Sequence, residues 1–317
     1  MDKVALIIIY NHQYNKNIST IEKIYKHRFT NIYHLVPFYN GDKSNVIPVY
    51  DSSYFFQGYV AQGLKSFFKE NYTHYFFIGD DLILNPIINE ENYHLHLKLG
   101  ENTSFIPEII NLYERSIYWA RVIQAYQYSL DVPGVEAKNQ LPDYNTALQL
   151  VNEFGLDIKP LEFNQIWKPP VSLNDYVKTL FKDKDHTLQF FRNLIKKKQY
   201  PLPYPIIGGY SDIFVVSSNT IKQFCHYCGV FAATKLFVEL AIPTSLILST
   251  KEIVTENDLE LQGKALWTDE DFLLLDRYEN NLEKLLDEFP ENYLYLHPVK
   301  LSKWAASKKS YCNSSNV

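Results

Sequence analysis

Apolar residues recur along this chain in two rhythms. Unbroken runs at Val4–Tyr10, Ile32–Tyr39, Ile47–Tyr50 and His74–Ile78 lack alternation and read as strands, the first and last buried on both faces. Between them Ile21, Ile24 and Tyr25 share one helix face, opened by what reads as a capping box at Ser19-Thr20-Ile21-Glu22. Asp51-Ser52-Ser53 offers an N-cap to a second helix, in which Phe55, Phe56, Tyr59, Val60, Gly63, Leu64, Phe67 and Phe68 recur every four residues. This order of strands and helices predicts a mostly parallel, doubly wound α/β sheet. Ligands of such sheets bind beyond the carboxyl ends of the strands, which sets Asn11-His12, Asp51-Ser52 and Asp80-Asp81 along one crevice.

Beyond Asn85-Pro86 the pattern is less regular. Tyr93–Leu99 alternates like a strand, with His94 and His96 on one face. A long aromatic helix is expected over residues 107–130, a capped helix over Asp143–Phe154 ending at Gly155, and one or two helices over Ser172–Lys198. Pro160, Pro169 and Pro170 break this region into pieces. Gly208 and Gly209 then precede a strand at Ile213–Val216, followed by a helix Ala232–Ile242 before Pro243, a helix Asp276–Phe289 and a strand Tyr293–Leu296. The tail after Trp304 is small, polar and expected to be disordered.

Composition narrows the class. With 317 residues, 46% hydrophobic and 21% charged, the chain has ample core for one large domain or two closely joined ones. A net charge of −5 argues against a nucleic-acid partner. No apolar run approaches the roughly 20 residues of a membrane span, and Met1-Asp2-Lys3 leads into a strand rather than a signal peptide. Cys225, Cys228 and Cys312 make no disulfide framework, which suits a reducing, cytoplasmic setting. Cys225-His226-Tyr227-Cys228 has metal-like spacing without a second pair, so buried, inert thiols are the better reading.

The chemistry gathers at Asp80-Asp81. Adjacent carboxylates at the mouth of a buried strand repel and lose hydration, so either a divalent cation sits there or both face solvent in the turn. Gly208 and Gly209 allow either close approach to a ligand or a tight turn with positive φ. Glu239 lies among Leu236, Phe237, Val238 and Leu240, where a carboxylate is costly unless paired or used.

In this strand order, Gly79-Asp80-Asp81 resembles the DXD motif of GT-A-fold, nucleotide-sugar glycosyltransferases, with Gly79 in place of the motif's first acid. The resemblance covers residues 1–90 well and 205–304 more loosely. It implies a single domain over 1–304: a nucleotide-binding half (1–90), a helical, acceptor-facing insertion (91–204) and an acceptor half that completes the metal site (205–304). It implies Mn²⁺ or Mg²⁺ on Asp81, completed by His297. Tyr10, Asn11, Asp51, Ser52, Asp80, Gly208, Gly209 and Lys300 would bind the nucleotide-sugar, with Lys300 on its diphosphate. Asp212 would contact sugar hydroxyls, and Glu239 would serve as base, although the family's usual Glu-Asp pair is missing from that helix. Trp267-Thr268-Asp269-Glu270-Asp271 either borders the acceptor or forms a solvated turn. The implied activity is transfer of a sugar, expected from UDP, to a glycan, a lipid-linked acceptor or another hydroxyl. A sugar-phosphate nucleotidyltransferase is the competing enzyme class, but Asn11-His12-Gln13-Tyr14 lacks its Gly-rich, basic loop. An inactive, sugar-binding relative is the non-enzymatic alternative.

Overall fold

The computed structural model describes residues 3–169, 173, 174, 177, 184–197 and 199–304. The strand β1 (Lys3–Ile9) runs through the middle of the molecule, with every side chain from Val4 to Ile9 at most 2% exposed. Its period of two divides these residues between two apolar clusters. Val4, Leu6 and Ile8 join Ile18, Ile21 and Ile24 of α1 (Asn15–Tyr25), while Ala5, Ile7 and Ile9 join Tyr59, Val60 and Phe67 of α2 (Gln57–Phe67). The absence of alternation in the sequence therefore reflects helices on both faces of the sheet.

Parallel neighbours extend β1 on one side through β2 (Asn31–Pro37) to β3 (Val46–Val49), and on the other to β4 (Tyr72–Gly79). The central sheet has the order β3-β2-β1-β4-β7-β6-β8, with β6 (Thr103–Phe105), β7 (Ile213–Ser217) and β8 (Glu252–Val254). Only β7 runs against its neighbours, pairing antiparallel with both β4 and β6. A smaller sheet orders β5 (Ile83–Leu84), β10 (Tyr293–His297) and β9 (Gln262–Ala265), so the late strand β10 pairs with the residues just after the aspartate pair. This is the expected class, a mostly parallel, Rossmann-like α/β fold.

The buried Arg28 holds the turn after β5 by donating to the carbonyls of Ile88 (2.8 Å) and Asn85 (2.6 Å). Residues 91–204, expected as a helical insertion, supply β6 to the central sheet as well as α3 (Tyr93–His96), α4 (Ala120–Tyr126), α5 (Tyr144–Glu153) and α6 (Lys184–Lys196). Buried residues of this segment, including Ile123, Tyr126 and Phe190, pack with Phe231 of α7 (Ile221–Ala233) and Leu240 of α8 (Val238–Ser249). Two further helices, α9 (Asp269–Asp276) and α10 (Leu282–Asp287), precede β10. Among the described residues no helix is long and apolar enough to cross a membrane.

Several local expectations are corrected. The first helix starts at Asn15, leaving Ser19 inside it with its hydroxyl toward the Lys16 carbonyl. Tyr93–Leu99 is not a strand. The Asn89 side chain accepts from the Glu91 and Asn92 N–H groups and winds the chain into α3, which buries Tyr93 and Leu97 and exposes His94. The long helix over 107–130 is only α4, because Asn111 and Ser116 bond the backbone two residues on and hold non-helical turns. Asp276–Phe289 is interrupted at Glu279 and Asn280, both with positive φ. The helix expected over Ala232–Ile242 is two helices, separated where Lys235 turns left-handed (φ 60°). Pro243 lies inside α8, and the Glu239 carbonyl that it cannot satisfy accepts from Gly209 N–H instead (3.0 Å). Asp143 does cap α5, and Gly155 (φ 76°) follows its end. Of the helices expected over Ser172–Lys198 only α6 lies within the described residues, and the tail beyond Trp304 lies outside them.

His34 in β2 is fully buried, with Nδ1 on the Tyr10 hydroxyl (3.1 Å) and Nε2 3.7 Å from Glu22. Burial pushes its pKa down to about 4, against the pull of Glu22. The folded value lies below the unfolded one, so its stabilising share is whole above pH ~6.5 and is lost as pH falls towards 4. In urea titrations, wild type should lose about 3 kcal/mol more than His34→Gln between those limits.

Candidate functional site

The site is built where β4 ends. Gly79 donates its N–H to the Asp212 carbonyl (2.9 Å) and Asp80 donates to the Ile9 carbonyl (2.9 Å), so three chain segments stop at one level. A Cβ on Gly79 would lie 3.3 Å from Asp81 Oδ1 and 3.9 Å from Asp212 Oδ1. A third acid in that position would crowd the two carboxylates beside it.

Asp80 is nearly buried, and its carboxylate accepts from Asn17 Nδ2 (3.4 Å) and from the Asn11 N–H. Burial, and then the Asp81 charge, push it up to about 7. Asp81 points the other way. Its carbonyl takes the Val299 N–H (2.6 Å), and its Oδ1 lies 3.1 Å from His297 Nε2. Asp212 Oδ1 is 3.8 Å from the same nitrogen, and burial pushes Asp212 up to about 6 although His297 opposes the shift. Burial works against protonation of His297, yet Asp81 and Asp212 outweigh it and raise its pKa. The other ring nitrogen, Nδ1, is 2.6 Å from the Tyr210 hydroxyl. Residues 81, 212 and 297 thus meet from three remote parts of the chain.

Among the described residues no group of three or more His, Cys, Asp or Glu side chains is arranged to hold a metal ion by itself. Asp81 and His297, with Asp212 slightly further off, bring hard oxygen donors and an imidazole together. That set fits an ion that takes its remaining ligands from phosphate oxygens and water, the usual arrangement for Mg²⁺ with phosphorylated substrates.

The other sequence candidates are placed as follows. Tyr10 is wholly buried on His34, so its side chain braces the strand end and is not open to a ligand. Asp51 and Ser52 follow β3, three strands from β4. Asp51 holds the Ser52 N–H and Lys235, and Ser52 accepts from Tyr54 N–H. Neither glycine has positive φ. A Cβ on Gly209 would meet the Glu108 carbonyl at 2.5 Å and one on Gly208 would meet Trp119 at 3.2 Å, so both admit neighbouring protein atoms. Glu239 is not buried in an apolar face: it begins α8 and pairs with Arg121 at 3.2 Å. Lys300 is exposed, three residues after His297. Cys225 and Cys228 are buried in α7, where burial holds both thiols protonated.

Pattern reading missed Tyr210, whose ring stacks on Tyr295 (5.8 Å, 10°) beneath His297, because nothing local distinguishes it from 24 other tyrosines. It also missed Phe38 and Tyr50, exposed at the ends of β2 and β3 with rings 5.7 Å apart. Phe38 has φ 53°, unusual for a bulky residue.

The strand order and site geometry define an α/β protein with its polar cluster at the carboxyl end of a parallel sheet. No protein-family profile and no curated protein matches the chain. Among solved structures it is similar to the bifunctional glycosyltransferase WbbM in its apo form, with 12% identity and a TM-score of 0.36 over 95% of this chain. The chain spans 46% of WbbM's length. It is also similar to core-mannan synthase A from Aspergillus fumigatus in a Mn/GDP form, with 11% identity and a TM-score of 0.32, over 82% of this chain and 74% of that one. Likenesses of this size transfer no residue roles, so the chemistry rests on the geometry above.

Gly209→Ala should destabilise the protein by roughly 1–3 kcal/mol in urea titrations, since its Cβ would overlap the Glu108 carbonyl and crowd Pro243. A neutral outcome would mean that the close approach is not needed.

Proposed function

We propose that this protein is a metal-dependent glycosyltransferase that uses a nucleoside-diphosphate-sugar, with UDP-sugar the expected donor and a glycan or lipid-linked hydroxyl as acceptor. One observation carries the reading: Asp81, Asp212 and His297 converge at the carboxyl end of β4 within 3.8 Å of a shared imidazole nitrogen. A carboxylate-rich pocket in this position of a parallel sheet suits a cation and a diphosphate together. In the proposed reaction the acceptor oxygen bonds to the anomeric carbon and the bond from that carbon to the diphosphate breaks. The nucleoside diphosphate leaves, and the acceptor's proton passes to a carboxylate.

A divalent ion bound there would neutralise charge on the leaving diphosphate. Asp81 and His297 would hold it, and Lys300 would add a point charge on the phosphates. Asp212, partly buried against His297, is better set than Glu239 to accept the proton, because Arg121 already engages Glu239. Asp80 supports this arrangement from the opposite side of the strand end, and Phe38 and Tyr50 offer exposed rings for the nucleotide base. Residues 1–304 would act as one domain in the cytoplasm, with 91–204 as the acceptor-side insertion.

Calorimetry with UDP and GDP tests the donor half without requiring turnover. Affinity should fall at least about tenfold, or 1.4 kcal/mol, when EDTA replaces Mn²⁺. Asp81→Asn should abolish the metal-dependent part, Asp80→Asn should weaken it less, and Lys300→Ala should lower affinity with metal dependence retained. Equal affinity in wild type and Asp81→Asn, with or without Mn²⁺, would sink the reading.

Turnover separates the two candidate bases. With a nucleotide-sugar donor and Mn²⁺, Asp212→Asn should lower kcat by about 100-fold or more, a general-base effect, with the donor's KM little changed. Glu239→Gln should cost less than tenfold. The opposite ranking would assign the proton to Glu239.

A further inference from the structure

Beside the carboxylate–histidine cluster lies a cleft of about 550 Å³ that the reading above leaves without an occupant. Tyr210 belongs to both, with its hydroxyl on His297 and its ring forming part of the cleft wall. Trp267 stands at the same border, edge-on to the His297 ring at 6.4 Å, and its side chain is 68% exposed. Tyr295 extends the aromatic wall, stacked on Tyr210. The rest of the lining mixes Glu108, Glu256 and Gln262 with the apolar Ile109, Phe154 and Leu156.

The charges in this lining all have one sign. Glu108 and Glu256 are both carboxylates, and among the described residues no lysine, arginine or histidine lines the cleft. Arg115, outside the lining, pairs with Glu108 at 3.4 Å. Burial and the neighbouring Glu256 and Glu239 charges raise the pKa of Glu108 in spite of that arginine. With two carboxylates and one flanking guanidinium, the lining keeps a net negative charge that repels an incoming phosphate or carboxylate. Hydroxyl and ammonium groups instead donate hydrogen bonds to carboxylates, and the C–H faces of a sugar ring lie well against aromatic rings.

We propose that this cleft is the acceptor subsite and takes a neutral or amino-bearing saccharide, excluding one that carries phosphate or carboxylate at the seated ring. The ring packs against Trp267 and Tyr210, and its hydroxyl or amino groups donate to Glu108 and Glu256. The exclusion is a property of the seated ring, so a lipid-linked acceptor presents its phosphate outside this cleft. The inference rests on the reading of the cluster as the donor site, since Tyr210 then borders donor and acceptor alike.

Saturation-transfer NMR on the full chain tests it with methyl glycosides of glucose, galactose, mannose and glucosamine, set against glucuronate and glucose 6-phosphate. At least one neutral or amino glycoside should bind, and both anionic sugars should bind at least tenfold more weakly. Trp267→Ala, at an exposed position, should weaken the glycoside at least tenfold, and Glu108→Gln should narrow the gap between neutral and anionic sugars. Binding of the anionic sugars as tight as the neutral ones overturns the proposal. So does the absence of binding by all four glycosides, or glycoside binding unchanged in both variants. UDP binding with Mn²⁺, measured on the same sample, keeps the two readings apart. UDP binding without saccharide binding removes the acceptor inference alone, whereas saccharide binding lost in Trp267→Ala supports the cleft assignment even where UDP fails to bind.

Discussion

The two backbone hydrogen bonds at the end of β4 set the position of everything around them. Gly79 and Asp80 donate in opposite directions, to Asp212 and to Ile9, each at 2.9 Å. The first ties β4 to the segment leading into the antiparallel strand β7, and the second ties it to β1. Because consecutive strand residues face opposite ways, the Asp80 side chain goes to the α1 side and meets Asn17, while Asp81 turns towards β10 and His297. One strand end thus distributes two adjacent carboxylates to two environments, a nearly closed one and an open one.

Much of this was legible in the sequence because it follows from burial. Strands covered by helices on both faces must be apolar throughout, so the runs at Val4–Tyr10 and His74–Ile78 could be read as inner strands. The aspartates at a strand end then marked where a polar site would lie. His297 was found only through the family resemblance, since no local pattern separates it from a histidine ending an ordinary strand. The insertion was poorly legible for a different reason. Asn89, Asn111 and Ser116 redirect the backbone through their own side chains, and such local bonds override apolar periodicity in short segments.

Glu239 shows how a physical premise read from the sequence is met in the fold. A carboxylate among apolar neighbours does need a partner, and the chain supplies Arg121, whose guanidinium also lies over the Phe237 ring at 3.2 Å. The helix that carries Glu239 is itself completed from outside. Gly209 provides the hydrogen bond that Pro243 denies to the Glu239 carbonyl, so the segment leading to Asp212 and the start of α8 are fixed against each other. Glycine at 209 serves that contact.

The distance along the chain between Asp81 and His297 has a consequence for synthesis. The two are 216 residues apart yet directly bonded, with β10 laid against β5 just beyond the aspartates. On a ribosome adding about 5–20 residues per second, the aspartate pair emerges roughly 10–40 s before its histidine. Through that interval a nascent chain can fold its first parallel strands, but its carboxylates have no imidazole and Ile83 and Leu84 have no strand to pair with. The assembled cluster therefore exists only on molecules that include β10, and products terminated before it are left with Ile83 and Leu84 unpaired.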